Sequence, residues 1–163
     1  MGQTKIDLAN QNREQIVFGN DSIVIQKYIS GIKGGRSLDV PADFPLAVIH
    51  AGHVIITDGS GIYKPMPIVD KTVTTGEGNE AVTTPVLDDN GNQVYIYGSL
   101  PNGYAYAGVL YRSVKKEKPF ASIMTNGEVN SEALEVAMTN ILSAFQTACP
   151  HVVFIKDEAE EEE

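Results

Sequence analysis

Turn signals interrupt this chain at short intervals, and they constrain its fold more than any other feature of the sequence. The 163 residues include 15 glycines and 8 prolines. Short apolar runs rich in β-branched and aromatic residues lie between the turns, a pattern typical of β-strands. With a length near that of one typical domain, the chain is predicted to be a β-rich α+β protein. The clearest turn clusters are Gly19-Asn20-Asp21, Asp58-Gly59-Ser60-Gly61, Asp89-Asn90-Gly91 and Pro101-Asn102-Gly103.

The first 40 residues are predicted to form an arm followed by a β-hairpin. Residues 1–13 have little apolar content and no clear period, which is typical of an extended arm that becomes ordered only on a partner. Gln15–Phe18 and Ser22–Tyr28 are β-rich, and the turn between them predicts the hairpin. A basic, glycine-rich loop at 30–37 ends this region.

The rest of the chain divides into a main domain and an acidic tail. The main domain, residues 41–157, contains a segment rich in Thr, Gly and Asn at 70–93. This segment is interpreted as a long surface loop or small hairpin inserted into the domain. Residues 158–163 are interpreted as a solvated acidic tail.

One strong helix is predicted over about 131–147. Apolar residues recur there at steps of three and four, which would place them on one helix face. Asn130 is a suitable N-cap, and Pro150 ends the helix. The preceding strand is predicted to stop at a turn, Thr125-Asn126-Gly127, in which Gly127 takes a positive φ. The residues of the predicted helix face are Leu134, Ala137, Ile141, Phe145 and Ala148.

Charge and cysteine content argue against several classes of protein. A formal net charge of −9 disfavours a nucleic-acid partner, because phosphate binding needs a basic face. No run of 18 or more apolar residues is present, so no transmembrane helix is expected, and the polar N-terminal stretch lacks the apolar core of a signal peptide. The lone cysteine, Cys149, cannot form an internal disulfide and fits a reducing compartment.

The histidines and the cysteine do not form a convincing catalytic or metal-binding set. His50 and His53 are three apart, but in a strand an odd spacing points side chains to opposite faces, and no carboxylate or cysteine cluster stands nearby. Cys149 with His151 suggests a thiol nucleophile, yet its place before Pro150 favours a small buried hydrophobe.

Two loops come close to known ligand-binding motifs without matching them. GIKGGRS at 31–37 lacks the first glycine and the lysine of a phosphate-binding loop. DDNGNQVY at 88–95 opens like a calcium loop, but Gln93 and Ser99 occupy the positions that need Gly and Glu, so it is interpreted as a β-turn. The chain is therefore predicted to be non-enzymatic, with no cofactor and no metal.

Tyrosines are frequent in the second half of the chain. Alternation puts Tyr95 and Tyr97 on one strand face and Tyr104 and Tyr106 on another. Such faces are either an aromatic protein-binding patch or the edge of the core with hydroxyls reaching solvent. These four tyrosines are the candidate residues for an oligomer interface.

The order of elements at residues 104–157 carries a family resemblance. YAYAGVLYRSV, a charged turn, PFASIMTNGEVNSEAL, a helix and PHVVFIKD follow one another there. This order resembles the C-terminal half of phage head-decoration proteins, the small capsid-cementing proteins of the lambda type, and the chain is most similar to those described as head fibre or auxiliary capsid proteins. FPLAVIHAGHVIITDGSGIYKPMPI at 44–68 is similar to the family's first half, whereas 1–40 and 70–93 depart from it. The matching slots are Ala107-Gly108-Val109-Leu110, Ile123–Val129, 131–147 and Val152–Ile155.

The resemblance implies a small β-barrel or tulip-like decoration domain with one main helix. It implies a homotrimer on the outer capsid surface that binds the major capsid protein, stabilises the head, is made in the host bacterial cytoplasm and ends in the virion. An N-terminal arm would add a strand to the capsid protein. No cofactor, nucleic acid or membrane is implied. The candidate capsid-binding residues are Ile6, Leu8, Ile16, Val17 and Phe18.

Two alternatives remain beside this reading. The chain could be the capsid-anchored base of a head fibre, in which case a head fibre protein is a further partner and the 70–93 segment is a candidate attachment surface. An alternative of another class is a small hydrolase that uses Cys149 or a histidine as its reactive group.

Overall fold

The computed structural model describes residues 20–156. Its helices are α1 (Asp21–Val24) and α2 (Leu142–Ala148), with one 3₁₀ turn at Gly78–Glu80. Its strands are β1 (Ile25–Gly31), β2 (Arg36–Ser37), β3 (Val48–Ile49), β4 (Val54–Thr57), β5 (Tyr63–Pro65), β6 (Ile68–Asp70), β7 (Thr72–Thr75), β8 (Val82–Pro85), β9 (Tyr95–Tyr97), β10 (Ala105–Leu110), β11 (Val114–Lys115), β12 (Phe120–Ala121), β13 (Ile123–Asn130) and β14 (Val152–Ile155).

The central sheet is built around β13. Its strand order is β1-β13-β10-β4-β5, and β14 also pairs with β13. β1 runs antiparallel along one edge of β13, from Ile25 opposite Val129 to Gly31 opposite Met124. The other edge of β13 is shared, since β10 pairs antiparallel with its first part and β14 pairs parallel with its second part. Both edges of β13 are therefore occupied, and β1 is an edge strand of the sheet that residues 20–156 form.

Gly127 lies in the middle of β13, so the predicted turn at Thr125-Asn126-Gly127 is wrong. Gly127 does not have a positive φ. A Cβ at this position would lie 2.3 Å from the Lys27 carbonyl oxygen and 2.5 Å from the Met124 sulfur. A glycine is needed here because the neighbouring strand passes too close for any side chain.

Gly108 plays the matching role on the other side of β13. A Cβ on Gly108 would lie 2.3 Å from the Met124 carbonyl oxygen, and its φ of +154° is rare for residues with side chains. The register between β10 and β4 shifts next to Gly108, as at a β-bulge. These two glycines let β1 and β10 close on the central strand.

The helix is much shorter than predicted, because α2 covers only Leu142–Ala148 instead of about 131–147. Between residues 134 and 139 burial alternates residue by residue, with Val136 and Met138 buried and Ala137 exposed. Ala137 also forms a parallel β-bridge with Ile96. The segment is extended, and its apolar residues are buried at every second position. The same apolar residues also fit the spacing of a helix face, which is why the sequence pattern predicted a helix here.

Only the last part of the predicted apolar helix face lies on a helix. Phe145 is fully buried within α2, and Ile141 is buried just before the helix begins, but Ala148 is exposed. Asn130 does not cap a helix; its Oδ1 accepts the Glu132 N–H at 3.0 Å in a turn after β13.

The predicted strand at Ser22–Tyr28 is wrong in its first half, where α1 forms instead. The Asn20 carbonyl accepts the N–H groups of Ile23 and Val24 at 3.0 and 3.1 Å, which closes this single helical turn. The strand begins only at Ile25, and its predicted hairpin partner, Gln15–Phe18, lies outside the described residues. β1 belongs to the central sheet, so residues 25–31 pack with the main domain.

Four two-stranded sheets surround the central one: β2 with β12, β3 with β11, β6 with β9, and β7 with β8. β7 and β8 form a hairpin whose residues are all exposed. Residues 70–93 therefore contain a surface hairpin, one of the two forms considered for this segment from the sequence.

The described chain is a β-rich α+β fold with one main helix, as predicted. None of the sheets formed by residues 20–156 closes into a barrel, so the predicted small barrel is not seen in them. The core lies between the central sheet, the extended segment at 134–139 and α2. Its fully buried side chains are mainly aliphatic, with Tyr97 and Phe145 as the large aromatic members.

Candidate protein-binding surfaces

His53 is a core residue. Its Nε2 lies 2.9 Å from the Met66 carbonyl oxygen, so a neutral ring can donate a hydrogen bond there. Burial lowers the pKa of His53 to about 4, and the hydrogen bond to Met66 opposes that shift. His50 is half-buried. Within residues 20–156, no group of three His, Cys, Asp or Glu side chains could hold a metal ion.

Tyr97 packs beside His53, and its hydroxyl accepts the Val54 N–H at 3.1 Å. The ring centroids of Tyr97 and His53 are 5.1 Å apart in an edge-to-face arrangement. Tyr97 is 2% exposed, and burial raises the pKa of its hydroxyl. It cannot serve as the interface residue predicted from the sequence unless the core opens.

The other candidate tyrosines are partly buried and lie in different surroundings. Tyr106 packs edge-to-face on Phe145 at 5.6 Å and covers α2. Tyr104 lies beneath the Lys64 ammonium group, 5.2 Å from the ring centroid. Tyr95 is in β9, paired with Asp70. The four tyrosines therefore do not form one continuous patch.

Cys149 is buried at the end of α2. Burial raises the pKa of its thiol, and its Sγ lies 3.7 Å from the Tyr106 carbonyl oxygen. A reactive thiol needs the opposite, a lowered pKa in an exposed, electropositive site. His151 is exposed, and no contact links it to Cys149 in the described part of the chain.

Ser113, which is buried, and Asp21, which is half-buried, form a hydroxyl–carboxylate pair. The Ser113 hydroxyl donates to the Asp21 carboxylate at 2.5 Å and accepts the Ala51 N–H at 2.9 Å. The Ser113 N–H donates to the same carboxylate at 2.8 Å. No histidine takes part, so the pair anchors α1 to the loop after β10 and lacks the base of a nucleophile.

The loop that resembles a calcium site is a side-chain-stabilised turn. Asp88 accepts N–H groups from Asn90 and Asn92 at 2.9 and 2.8 Å, and these bonds lower the pKa of its carboxyl group. The Gly91 N–H donates to the Asp88 carbonyl at 3.0 Å. The prediction of a β-turn here is confirmed.

The outer edge of β1 presents apolar side chains to solvent. Tyr28 and Ile29 are 42% and 53% exposed. Tyr28 packs against Tyr111 with ring centroids 4.5 Å apart, and the Arg112 guanidinium lies 4.9 Å from the Tyr111 ring. No strand among residues 20–156 pairs with this edge, and an unpaired edge with exposed apolar side chains is a template for pairing with another strand.

A second surface is a groove of about 290 Å³ at the opposite end of the sheet. Five of the eight prolines in the chain line it, together with Phe44, Ile56 and Tyr104. Lys64 lies at its rim and forms an ion pair with Asp39 at 3.3 Å. Sequence reasoning missed the groove because these prolines come from three separate segments of the chain, at 41–45, 65–67 and 101.

The predicted capsid-binding residues Ile6, Leu8, Ile16, Val17 and Phe18 lie outside the described residues. Within the described range no helix is long and apolar enough to cross a membrane. No protein-family model, curated protein or solved structure matches the chain.

Proposed function

We propose that this chain is a non-enzymatic capsid decoration protein that binds the outer capsid surface and bridges subunits of the major capsid protein. The observation that carries the proposal is the strand β1, with Tyr28 and Ile29 exposed, which follows the predicted arm in the chain after α1. No strand among residues 20–156 pairs with the outer edge of β1, and this supports a role in binding another protein. The buried Cys149 and the structural bonding of Ser113 and His53 support a binding role over a catalytic one.

The arm would work by strand addition. Backbone hydrogen bonds would supply affinity, and alternate side chains such as Ile6 and Leu8 would supply specificity. Ordering the backbone costs roughly 1–2 kcal/mol per residue, so a single arm binds weakly. A homotrimer would present three arms and raise the effective concentration of each after the first had bound.

Deletion of residues 1–13 tests the proposal. The truncated chain should keep its circular dichroism spectrum and thermal midpoint but lose occupancy on purified capsids built from its major capsid protein. Occupancy is counted by co-sedimentation and by electron microscopy.

A matched pair of full-length variants separates the arm's apolar contacts from its length. Ile6→Ser with Leu8→Ser should weaken capsid binding, whereas Thr4→Ser with Asn10→Ser should not. Unchanged occupancy after the deletion would refute the arm mechanism.

The base of a head fibre is a second candidate, favoured by the exposed β7–β8 hairpin. Val73 and Val82 are 48% and 58% exposed on this hairpin and have no described partner element beyond it. A fibre base predicts that a shortened hairpin still permits capsid binding but removes fibre density from the capsid surface. If the chain is a decoration protein that carries no fibre, the shortened hairpin should change neither capsid binding nor the density on the capsid surface.

A further inference from the structure

An exposed aromatic ring lies on the short ribbon that β2 and β12 form. Phe120 pairs with Ser37 across this ribbon. Its side chain is 72% exposed, more than that of any other large apolar residue in the range 20–156. A Cβ on Gly35 would lie 3.3 Å from the Phe120 ring, so the ring rests against the backbone of this glycine. The ring is therefore held in place on the fold while most of it faces solvent.

Two exposed lysines flank the Phe120 ring. Lys33 precedes β2 and Lys118 precedes β12, and the two strands are antiparallel. The two lysines therefore lie on opposite sides of the pair that Phe120 forms, and both are exposed. No ion pair between residues of the described range 20–156 involves either lysine. We call Phe120, Lys33 and Lys118 the basic ribbon.

Other cations in the same two loops are held by neutral groups. The Arg36 guanidinium donates to two backbone carbonyls of its own loop at 2.6 and 3.0 Å. The Lys116 ammonium donates to two carbonyls of the segment before β3 at 2.6 and 2.7 Å. Carbonyl oxygens satisfy these donors without cancelling their charge. Five of the six charged residues in 31–37 and 115–120 are basic, although the whole chain carries a net charge of −9.

This local charge selects the kind of molecule that fits the ribbon. Positive charge on both sides of an apolar ring is complementary to a segment with negative charge on both sides of an apolar group. A long polyanion such as a nucleic acid would extend past the ribbon over a protein whose net charge is −9 and would be repelled there. A short acidic segment of a protein contacts only the ribbon.

We infer that the basic ribbon binds a segment of a partner protein in which an apolar side chain lies between carboxylates. The apolar side chain would pack on Phe120, and the flanking carboxylates would pair with Lys33 and Lys118. The inference does not depend on capsid binding, because it uses no residue of the predicted arm or of β1.

A synthetic peptide tests the inference on the purified full-length chain. The probe is the labelled heptapeptide Gly-Glu-Glu-Phe-Glu-Glu-Gly, and its binding is followed by fluorescence anisotropy. We expect saturable binding with a dissociation constant of about 0.1–1 mM at about 0.05 M salt. Binding should weaken about threefold or more at about 0.5 M salt, because salt screens exposed charges. Peptides with Gln for every Glu, or with Ser for Phe, should bind about fivefold more weakly or worse.

Variants of the protein locate the site. Phe120→Ser, and separately the pair Lys33→Glu with Lys118→Glu, should each raise the dissociation constant about fivefold or more. The charge-reversed pair should instead bind the peptide Gly-Lys-Lys-Phe-Lys-Lys-Gly. Val153→Ser and Lys156→Glu are the matched controls, since both side chains are exposed near the other end of β13. They should leave the affinity unchanged.

Each result decides the inference. No saturable binding of the probe up to about 2 mM would overturn it, as would unchanged affinity in Phe120→Ser and in the charge-reversed pair. Tighter binding of an oligothymidine of about eight nucleotides than of the peptide would assign the ribbon to nucleic acid instead. A chain ending at Lys156 should bind the probe as the full chain does. A gain of about fivefold or more would show that the chain's own C-terminal residues occupy the ribbon, which would also overturn the inference.

Discussion

The region around β13 and the β7–β8 hairpin are both built from hydrogen-bonded strand pairs, but their surroundings differ. β13 has strands on both edges and contributes fully buried side chains such as Ile123 and Val129. The hairpin pairs Thr72 with Pro85 through Thr75 with Val82 and leaves every side chain exposed. Backbone pairing is thus common to both regions, and only side-chain packing distinguishes the core from the appendage.

The difference assigns separate tasks to the two regions. The region around β13 and β4 holds the polar groups that depend on the fold, such as His53 and Tyr97. The hairpin is held by local bonds, including one of 3.2 Å between the hydroxyls of Thr74 and Thr83. Changes in the first region should therefore act on the stability of the whole chain, and changes in the second should act only locally.

The largest effect is expected from acidification, through His53. Its folded pKa of about 4 lies below the unfolded value of 6.5. Between these values the unfolded chain binds more protons, so stability is present above pH 6.5 and is lost as the pH falls toward 4. The difference of 2.5 pH units corresponds to a loss of about 3 kcal/mol in the free energy of unfolding. Urea unfolding at pH 7, 5.5 and 4 measures it.

His53→Gln is the informative variant for this prediction. Glutamine can still donate to the Met66 carbonyl but does not titrate. Between pH 7 and pH 4 the unfolding free energy of this variant should therefore fall by about 3 kcal/mol less than that of the wild type. His50→Gln removes a half-buried imidazole from the same segment and serves as the control. Asp88 is a second group with a shifted pKa, lowered by hydrogen bonds from Asn92 and Asn90. It is exposed, lies near the β7–β8 hairpin and is unchanged in all three proteins, so it does not account for a difference between them. Equal pH profiles for His53→Gln and wild type would contradict the role of His53.

Two glycines, one from each region, give the next contrast. At Gly127 an added Cβ meets the Lys27 carbonyl oxygen and the Met124 sulfur, whereas at Gly91 it meets nothing within 4 Å. Gly127→Ala should therefore lower the unfolding free energy by about 2–3 kcal/mol through overpacking. Gly91→Ala should cost about 1 kcal/mol, because its φ of +82° disfavours a side chain. Thermal unfolding at neutral pH measures both, and equal losses would show that packing at Gly127 relaxes freely.

Local sequence patterns predicted the β7–β8 hairpin and the Asp88 turn better than the central sheet. The Asp88 turn and the hairpin depend on neighbours within about a dozen residues, so the sequence pattern was sufficient. Gly127 was misread because glycine serves both turns and close approaches, and the Lys27 carbonyl that decides between them lies 100 residues away in the chain. The same holds for residues 134–139, where the bridge from Ala137 to Ile96 selects the extended form.

The candidate binding surfaces also depend on contacts between residues that are distant in the sequence. The tyrosine alternation left Tyr97 open between a protein-binding patch and the edge of the core, and its side chain is buried in the core. The basic, glycine-rich character of residues 30–37 was visible in the sequence. The pairing of β2 with β12, which fixes the end of this loop in the fold, joins strands that lie more than 80 residues apart in the chain.

The smallest effect is expected from shortening the hairpin itself. Replacing residues 74–83 by Asn-Gly keeps the pair between Val73 and Thr84 and closes it with a two-residue turn. The free energy of unfolding should change by less than about 0.5 kcal/mol, because the removed side chains are exposed and the loop they close is shorter. Thermal and urea unfolding measure the change, with the Val86 N–H bond to the Lys71 carbonyl, 2.8 Å long, left in place at the hairpin base. A loss as large as that from Gly127→Ala would mean that the hairpin packs on residues outside the described range, and the division between a packed centre and a local appendage would fail.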